Sequence, residues 1–103
     1  MTADMIIALL ARHAPELRAA GITRLSIFGS RARGDGDATS DVDIALRLTD
    51  AARQGGLAYI SRIERLRTRL QALIGAPVDI VVEPVRAPAL QAAIRTDERI
   101  AFE

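Results

Sequence analysis

The sequence predicts an α/β (α+β) fold in which helices flank a small mixed sheet of three or four strands. Two observations predict it: helical and strand-like apolar spacings alternate along the chain, and the connections between strands differ in length. About a dozen residues join the first two strands, which is short for a helical crossover and favours an antiparallel pair. A long helix precedes the third strand, so we expect a parallel crossover there. The 103 residues, 1–103, are expected to form a single domain.

Each element is predicted from its apolar spacing and from the residues that end it. Apolar residues recur at helical spacing near the start of the chain, where Pro15 marks a kink or the first turn of a second short helix. Gly75 and Pro77 end the long helix. The predicted elements are a helix over 6–17, strands over 24–28 and 41–48, a helix over 57–74, a strand over 78–83, a helix near 89–95 and a terminal strand over 99–103.

Charge and composition exclude several classes of function. The chain has 14 basic and 13 acidic residues, a net charge of +1 and 3% aromatic residues, and every basic residue is arginine. A single-strand binder needs a basic groove with stacking rings, so we expect no direct nucleic-acid binding. The absence of cysteine excludes disulfides and thiolate metal sites. Because Arg12, His13 and Pro15 interrupt the first apolar run, we expect a cytoplasmic protein without a signal peptide or membrane span.

Asp41 and Asp43 are unusual residues for a strand. If 41–48 is a strand, the two side chains share one face and repel each other unless one is protonated or a cation lies between them. Oxygen ligands without histidine or cysteine suit Mg²⁺, which completes its shell with water and phosphate oxygens. The alternative is that Ser40 caps a helix whose first turn contains both aspartates.

Other candidate residues precede and follow this pair. Gly29 would let a phosphate approach the backbone closely, and Ser30 offers a hydroxyl and an N–H group, although an ordinary turn explains the dipeptide equally well. Arg31 and Arg33 could add charge-assisted contacts to the β- and γ-phosphates of a nucleotide. Asp79 lies in an apolar strand, where a carboxylate is costly to bury unless it is paired or liganded; a partly solvated strand face is the alternative.

The spacing of these residues resembles a known superfamily. Gly29-Ser30, ten residues, Asp41-Val42-Asp43 and a later strand aspartate, Asp79, resemble the nucleotidyltransferases that include DNA polymerase beta. The segments LSIFGSRARGDGDATSDVDIAL and LQALIGAPVDIVVEPVRAPALQAAIRTDERIAF are similar to the minimal nucleotidyltransferases (MNT), the antitoxins of HEPN/MNT toxin–antitoxin pairs. The resemblance spans essentially the whole chain and implies the nucleotidyltransferase fold.

The resemblance also implies a function and a role for each candidate. The family transfers AMP from ATP to a tyrosine of the cognate HEPN toxin, a ribonuclease, and thereby silences it. By this resemblance Asp41, Asp43 and Asp79 would hold two Mg²⁺ ions, with Asp79 also helping to deprotonate or orient the acceptor hydroxyl. Gly29 and Ser30 would hold the β- and γ-phosphates of ATP. The further candidates for nucleotide contacts are Arg31, Arg33 and Ser40.

Two alternatives belong to other functional classes. A catalytically idle antitoxin with the same fold could mask its toxin sterically, with Asp41 and Asp43 as relics. An active enzyme could instead modify another acceptor, such as tRNA or a small molecule. The first alternative requires neither Mg²⁺ nor ATP, and its function should survive Asp43→Asn. A hetero-oligomer with the toxin fits either antitoxin mechanism.

Overall fold

The computed structural model describes residues 1–37 and 40–103, and this part of the chain forms five α-helices and four strands. In chain order the elements are α1 (Ala3–Arg12), α2 (Ala14–Ala19), β1 (Ile22–Phe28), α3 (Gly29–Arg33), β2 (Val42–Leu48), a 3₁₀ turn (Ala51–Arg53), α4 (Leu57–Ile74), β3 (Val78–Val82), α5 (Pro88–Asp97) and β4 (Arg99–Phe102). Pro15 lies in the first turn of α2, which confirms a second short helix. None of the described helices is both long and apolar enough to cross a membrane.

The four strands form one mixed sheet in the order β3–β2–β1–β4. β1 is antiparallel to β2 and to β4, whereas β2 is parallel to β3. α4 provides the crossover between the two parallel strands. The predicted mixed sheet and both predicted strand orientations are therefore confirmed.

Helices cover the two faces of the sheet to different extents. The larger core lies under α1, α2 and α4, where Leu10 and Leu70 are fully buried against the sheet. Complete burial of one such side chain stabilises the fold by about 1.5–3 kcal/mol. On the other face a smaller cluster joins Phe28 and Ala45 of the sheet to Ile94 of α5. This second face therefore has room for polar side chains beside a small apolar contact.

Two predicted boundaries near residues 29–43, here called the signature segment, differ from the structure. β2 begins at Val42, whose N–H group donates to the Pro77 carbonyl at 2.9 Å, so Asp41 lies directly before the strand. The prediction that both aspartates are strand residues is thus wrong for Asp41, because cross-strand pairing starts one residue later. β1 begins at Ile22, two residues before the predicted start at Arg24.

A polar network occupies part of the sheet face covered by α5. Arg24 donates to both carboxylate oxygens of Glu98, at 3.1 and 2.8 Å, and lies 3.5 Å from Glu83 and 3.3 Å from Glu103. Ser26 also donates to Glu98, at 3.1 Å. The hydrogen bond from Arg24 is the main reason that the pKa of Glu98 is lowered. The network joins β1 to the end of β3 and to the residue that follows α5.

Replacing Arg24 with methionine should lower the free energy of unfolding by about 3–5 kcal/mol at neutral pH, because mostly buried carboxylates lose their cation. The lowered pKa of Glu98 means that its contribution is present above the pKa of the unfolded group and is lost as pH falls through the folded pKa. Urea unfolding should therefore show that the difference in free energy of unfolding between the wild type and Arg24→Met becomes smaller in acid.

Arg47→Met is the matched control for Arg24→Met. Arg47 approaches the same Glu83, at 3.8 Å, but its side chain is 54% exposed. Its loss should change the free energy of unfolding by no more than about 0.5 kcal/mol. Equal losses in the two variants would contradict the importance assigned to the buried network.

Candidate active site

The strand register places Phe28, Asp43 and Asp79 in one row across the sheet. Phe28, directly before Gly29, pairs with Asp43 in the antiparallel ladder, and Asp43 pairs with Asp79 in the parallel ladder. Paired residues on neighbouring strands project to the same face and lie about 5 Å apart. Two of the three predicted acids and the start of the predicted phosphate site are therefore adjacent, at the end of β1.

Gly29 and Asp43 are in direct contact. Gly29 has a φ of 76°, and a Cβ atom placed on it would lie 2.3 Å from Oδ2 of Asp43. Any other residue at position 29 would adopt an unfavourable backbone conformation and would also displace this carboxylate. The glycine therefore allows the Asp43 carboxylate to lie against the backbone at the start of α3.

The environment of Asp43 disfavours its negative charge. Partial burial raises the pKa of Asp43, and the nearby carboxylates of Asp79 and Asp41 raise it further, while Arg33 acts in the opposite direction. Six arginines form the salt bridges within residues 1–37 and 40–103, and none of these salt bridges involves any of the three aspartates. Three unpaired carboxylates, one of them half-buried, suit a hard cation such as Mg²⁺.

The other two acids are more exposed than Asp43. Asp41 lies directly before β2, and Asp79 lies on β3, which is an edge strand of the sheet. In the described part of the chain, no three His, Cys, Asp or Glu side chains approach closely enough to form a metal-binding group. The three acids therefore lie at an open edge of the sheet and do not enclose a cavity.

The residues directly after α3 fold back on Ser30. The N–H groups of Asp35 and Gly36 both donate to the Ser30 carbonyl, at 2.9 and 3.2 Å. Ser40 makes its contacts within the segment, since its hydroxyl accepts from the Asp37 N–H group at 3.1 Å and donates to the Asp37 carboxylate at 3.3 Å. The Ser30 carbonyl thus accepts the hydrogen bonds that fold Asp35 and Gly36 back on α3, and the Ser40 side chain bonds to Asp37.

The two arginines of the signature segment lie in different environments. Arg33 is exposed and donates to Asp35 at 2.9 Å and to Asp97 of α5 at 2.7 Å. Arg31 is buried and donates to two backbone carbonyl groups, those of Ser40 at 2.8 Å and Met1 at 3.2 Å. Arg33 is thus held by Asp35 and Asp97 but is near enough to Asp43 to act against the rise in its pKa, whereas the guanidinium of Arg31 is occupied within the protein.

Two residues near the site were absent from the sequence-based set. The first is Asp97, which accepts a hydrogen bond from Arg33. The second is Arg67 of α4, which lies near Asp79. The pKa of Arg67 is raised mainly by its hydrogen bond to Glu64 and to a lesser extent by Asp79. Both come from helices that carry no recognisable motif. Two surface concavities on α4, both lined in part by Arg65, include none of the three acids.

Comparisons with known proteins agree with this geometry. The family described as polymerase beta nucleotidyltransferase matches residues 6–103. The protein adenylyltransferase MntA of Thermococcus cleftensis is 31% identical over 84 residues, which cover 81% of this chain and 79% of the relative.

Solved structures show the same fold. A structure described as a minimal nucleotidyltransferase has a TM-score of 0.71 and 29% identity, covering 96% of this chain and 95% of its own. A toxin–antitoxin structure with AMP-PNP has a TM-score of 0.63 and 22% identity over 99% of this chain and 73% of its own. A tri-AMPylated HEPN toxin of Shewanella oneidensis in complex with its MNT antitoxin has a TM-score of 0.54 and 20% identity over 97% of this chain and 68% of its own.

Gly29→Ala should separate backbone strain from displacement of the Asp43 carboxylate. We expect the variant to lose stability by about 1–3 kcal/mol from its positive φ and, in addition, to lose affinity for ATP with Mg²⁺. Gly75→Ala is the matched control, because Gly75 has the same φ of 76° and nothing within 4 Å of an added Cβ. Chemical unfolding and calorimetric titration should show similar stability losses but lost affinity in Gly29→Ala alone.

Asp43→Asn should stabilise the metal-free protein at neutral pH, raising its unfolding midpoint by a few degrees. The raised pKa of Asp43 means that the ionised form is penalised in the folded state above that pKa, and the penalty disappears as pH falls through it. The gain should therefore shrink in acid. Asp50→Asn, at an exposed carboxylate, should leave the midpoint unchanged, and a lower midpoint for Asp43→Asn would contradict the repulsion.

Proposed function

This chain belongs to the polymerase beta family of nucleotidyltransferases, and on that premise we propose that it transfers AMP from ATP to a tyrosine of a cognate HEPN toxin and so neutralises the toxin. The observation that carries the proposal is the row of Phe28, Asp43 and Asp79 across the sheet, with Gly29 directly after Phe28 and in contact with Asp43. The similarity to a protein adenylyltransferase over four-fifths of the chain supports AMP as the transferred group.

The donor set fits Mg²⁺. Asp41, Asp43 and Asp79 provide only carboxylate oxygens, and their mutual repulsion raises the pKa of Asp43, which is already raised by burial. These three residues would hold the two ions expected for this reaction. Bound Mg²⁺ supplies charge neutralisation at the α-phosphate and at the departing pyrophosphate.

The residues of the chain have separable roles in the proposed reaction. Gly29 and Ser30 bind the β- and γ-phosphates at the start of α3, and Arg33 adds positive charge next to them. Asp79 orients the acceptor hydroxyl and receives its proton. A bond forms between the acceptor oxygen and the α-phosphorus, the bond from that phosphorus to the β-phosphate oxygen breaks, and pyrophosphate leaves.

The position of Asp79 supports a protein acceptor. β3 is an edge strand, and the Asp79 side chain is exposed on it beside the half-buried Asp43. The two surface concavities on α4 contain none of the acids, so neither is an acceptor pocket for a small molecule at this site. An acceptor tyrosine presented by a partner protein can approach such an open edge and complete the cleft.

The experiment mixes the purified protein, Mg²⁺ and ATP labelled at the α-phosphate with the product of the neighbouring gene. We expect label on that product, and we expect Asp41→Asn/Asp43→Asn to reduce the transfer rate by at least about 1,000-fold, since charge stabilisation of the transition state is lost. Asp50→Asn is the control for removal of a carboxylate outside the site.

The alternatives produce different results in the same assay. A stable complex that silences the partner without label, and equally well with the doubly substituted protein, would identify a masking antitoxin. Label on added tRNA or on a small molecule but not on the protein would identify another acceptor. Phosphopeptide mapping of the labelled product tests tyrosine as the acceptor residue.

A further inference from the structure

Arg31 is the least exposed arginine that the structure describes, with 5% of its surface accessible. In the described part of the chain, its guanidinium group donates to the carbonyl groups of Ser40 and Met1. No carboxylate lies within salt-bridge distance of it among the described residues. A buried cation is costly unless its donors are satisfied, so these carbonyl groups account for its position.

The stem of Arg31 is equally confined. A Cβ atom on Gly36 would lie 2.9 Å from Cδ of Arg31, 3.0 Å from the Ser30 hydroxyl and 3.2 Å from Cβ of Ser40. The backbone of Gly36 therefore packs against Arg31, Ser30 and Ser40 at once. The N–H group of Gly36 also donates to the Ser30 carbonyl. Arg31 thus contacts both Gly36 and Ser40, which lie between α3 and Asp41 in the sequence.

We propose that Arg31 is a positioning residue that sets the distance between the nucleotide cradle at Gly29 and Ser30 and the acid at Asp41; this inference rests on the proposed function. Arg31 is part of the same short helix as the cradle, and it holds the carbonyl of Ser40, the residue directly before Asp41. Its planar guanidinium bridges two carbonyl groups, which a lysine ammonium cannot reproduce.

This role differs from the phosphate contact expected from the sequence. A phosphate-binding arginine acts through its charge, so lysine retains part of its function and the loss is mainly in the KM for ATP. A positioning residue acts through geometry, so a small displacement of the acids slows the transfer step even at saturating ATP. The two roles therefore predict different kinetic results for Arg31→Lys.

Arg31→Lys should lower kcat for AMP transfer at least about tenfold while changing the KM for ATP by less than about threefold. Gly36→Ala should produce the same pattern with the charge of Arg31 intact, because the added methyl group displaces the Arg31 stem. Arg53→Lys, at an exposed arginine of the 3₁₀ turn, should match the wild type. A normal kcat with a raised KM in Arg31→Lys would overturn the proposal in favour of a phosphate contact.

Amide hydrogen exchange tests the same role without the transfer reaction. Arg31→Lys should accelerate exchange of the Asp35 and Gly36 N–H groups at least about tenfold, because the fold-back on Ser30 loses its support. Unchanged exchange at both amides would overturn the proposal. If the wild type fails to label any partner, the proposed function fails while the exchange result still decides the role of Arg31. If Arg31→Lys does not fold, Gly36→Ala provides both measurements.

Discussion

The register of three strands is the constraint on which the site depends. Side chains alternate along a strand, so a shift of β2 by one residue would send Asp43 into the main core and Ile44 out of it. Ile44 is fully buried, and this apolar position holds the register in place. The packing that stabilises the sheet thereby fixes the row of Phe28, Asp43 and Asp79. The same strand pairing therefore determines both which residues are buried in the core and where the acids lie.

The face that carries the acids is divided into three parts. The acids lie at the strand ends, the cluster of Phe28, Ala45 and Ile94 lies beside them, and the network around Arg24 follows. The apolar cluster secures α5 against the sheet, and the salt bridge from Arg33 to Asp97 then joins α5 to α3. The exposed carboxylates therefore rest on a surface held by three elements, as a positioned reaction site requires.

How well a feature can be predicted from the sequence depends on how far apart along the chain the interacting residues are. Strands, helices and their orientations depend on local spacing and connection length, and these were predicted, apart from boundaries such as Asp41. The sequence predicts a phosphate contact for Arg31, because an arginine beside a glycine-serine turn gives no sign of burial. Its partners are 9 and 30 positions away, and those of Arg24 are 59 to 79 positions away. Such contacts exist only after the sheet has formed, so no local pattern indicates them.

The site differs from the rest of the surface in how its charges are balanced. Elsewhere in the described chain arginine and carboxylate side chains form pairs, such as Arg69 with Glu16, but the acids of the row have no arginine partner. Their spacing is held by backbone pairing, by the contact with Gly29 and by the buried Arg31. An acid already paired with arginine would have to lose that partner before a cation could bind. Carboxylates held apart by the backbone remain available, and the repulsion at Asp43 is relieved when a cation binds, which links occupation of the site to stability of the fold.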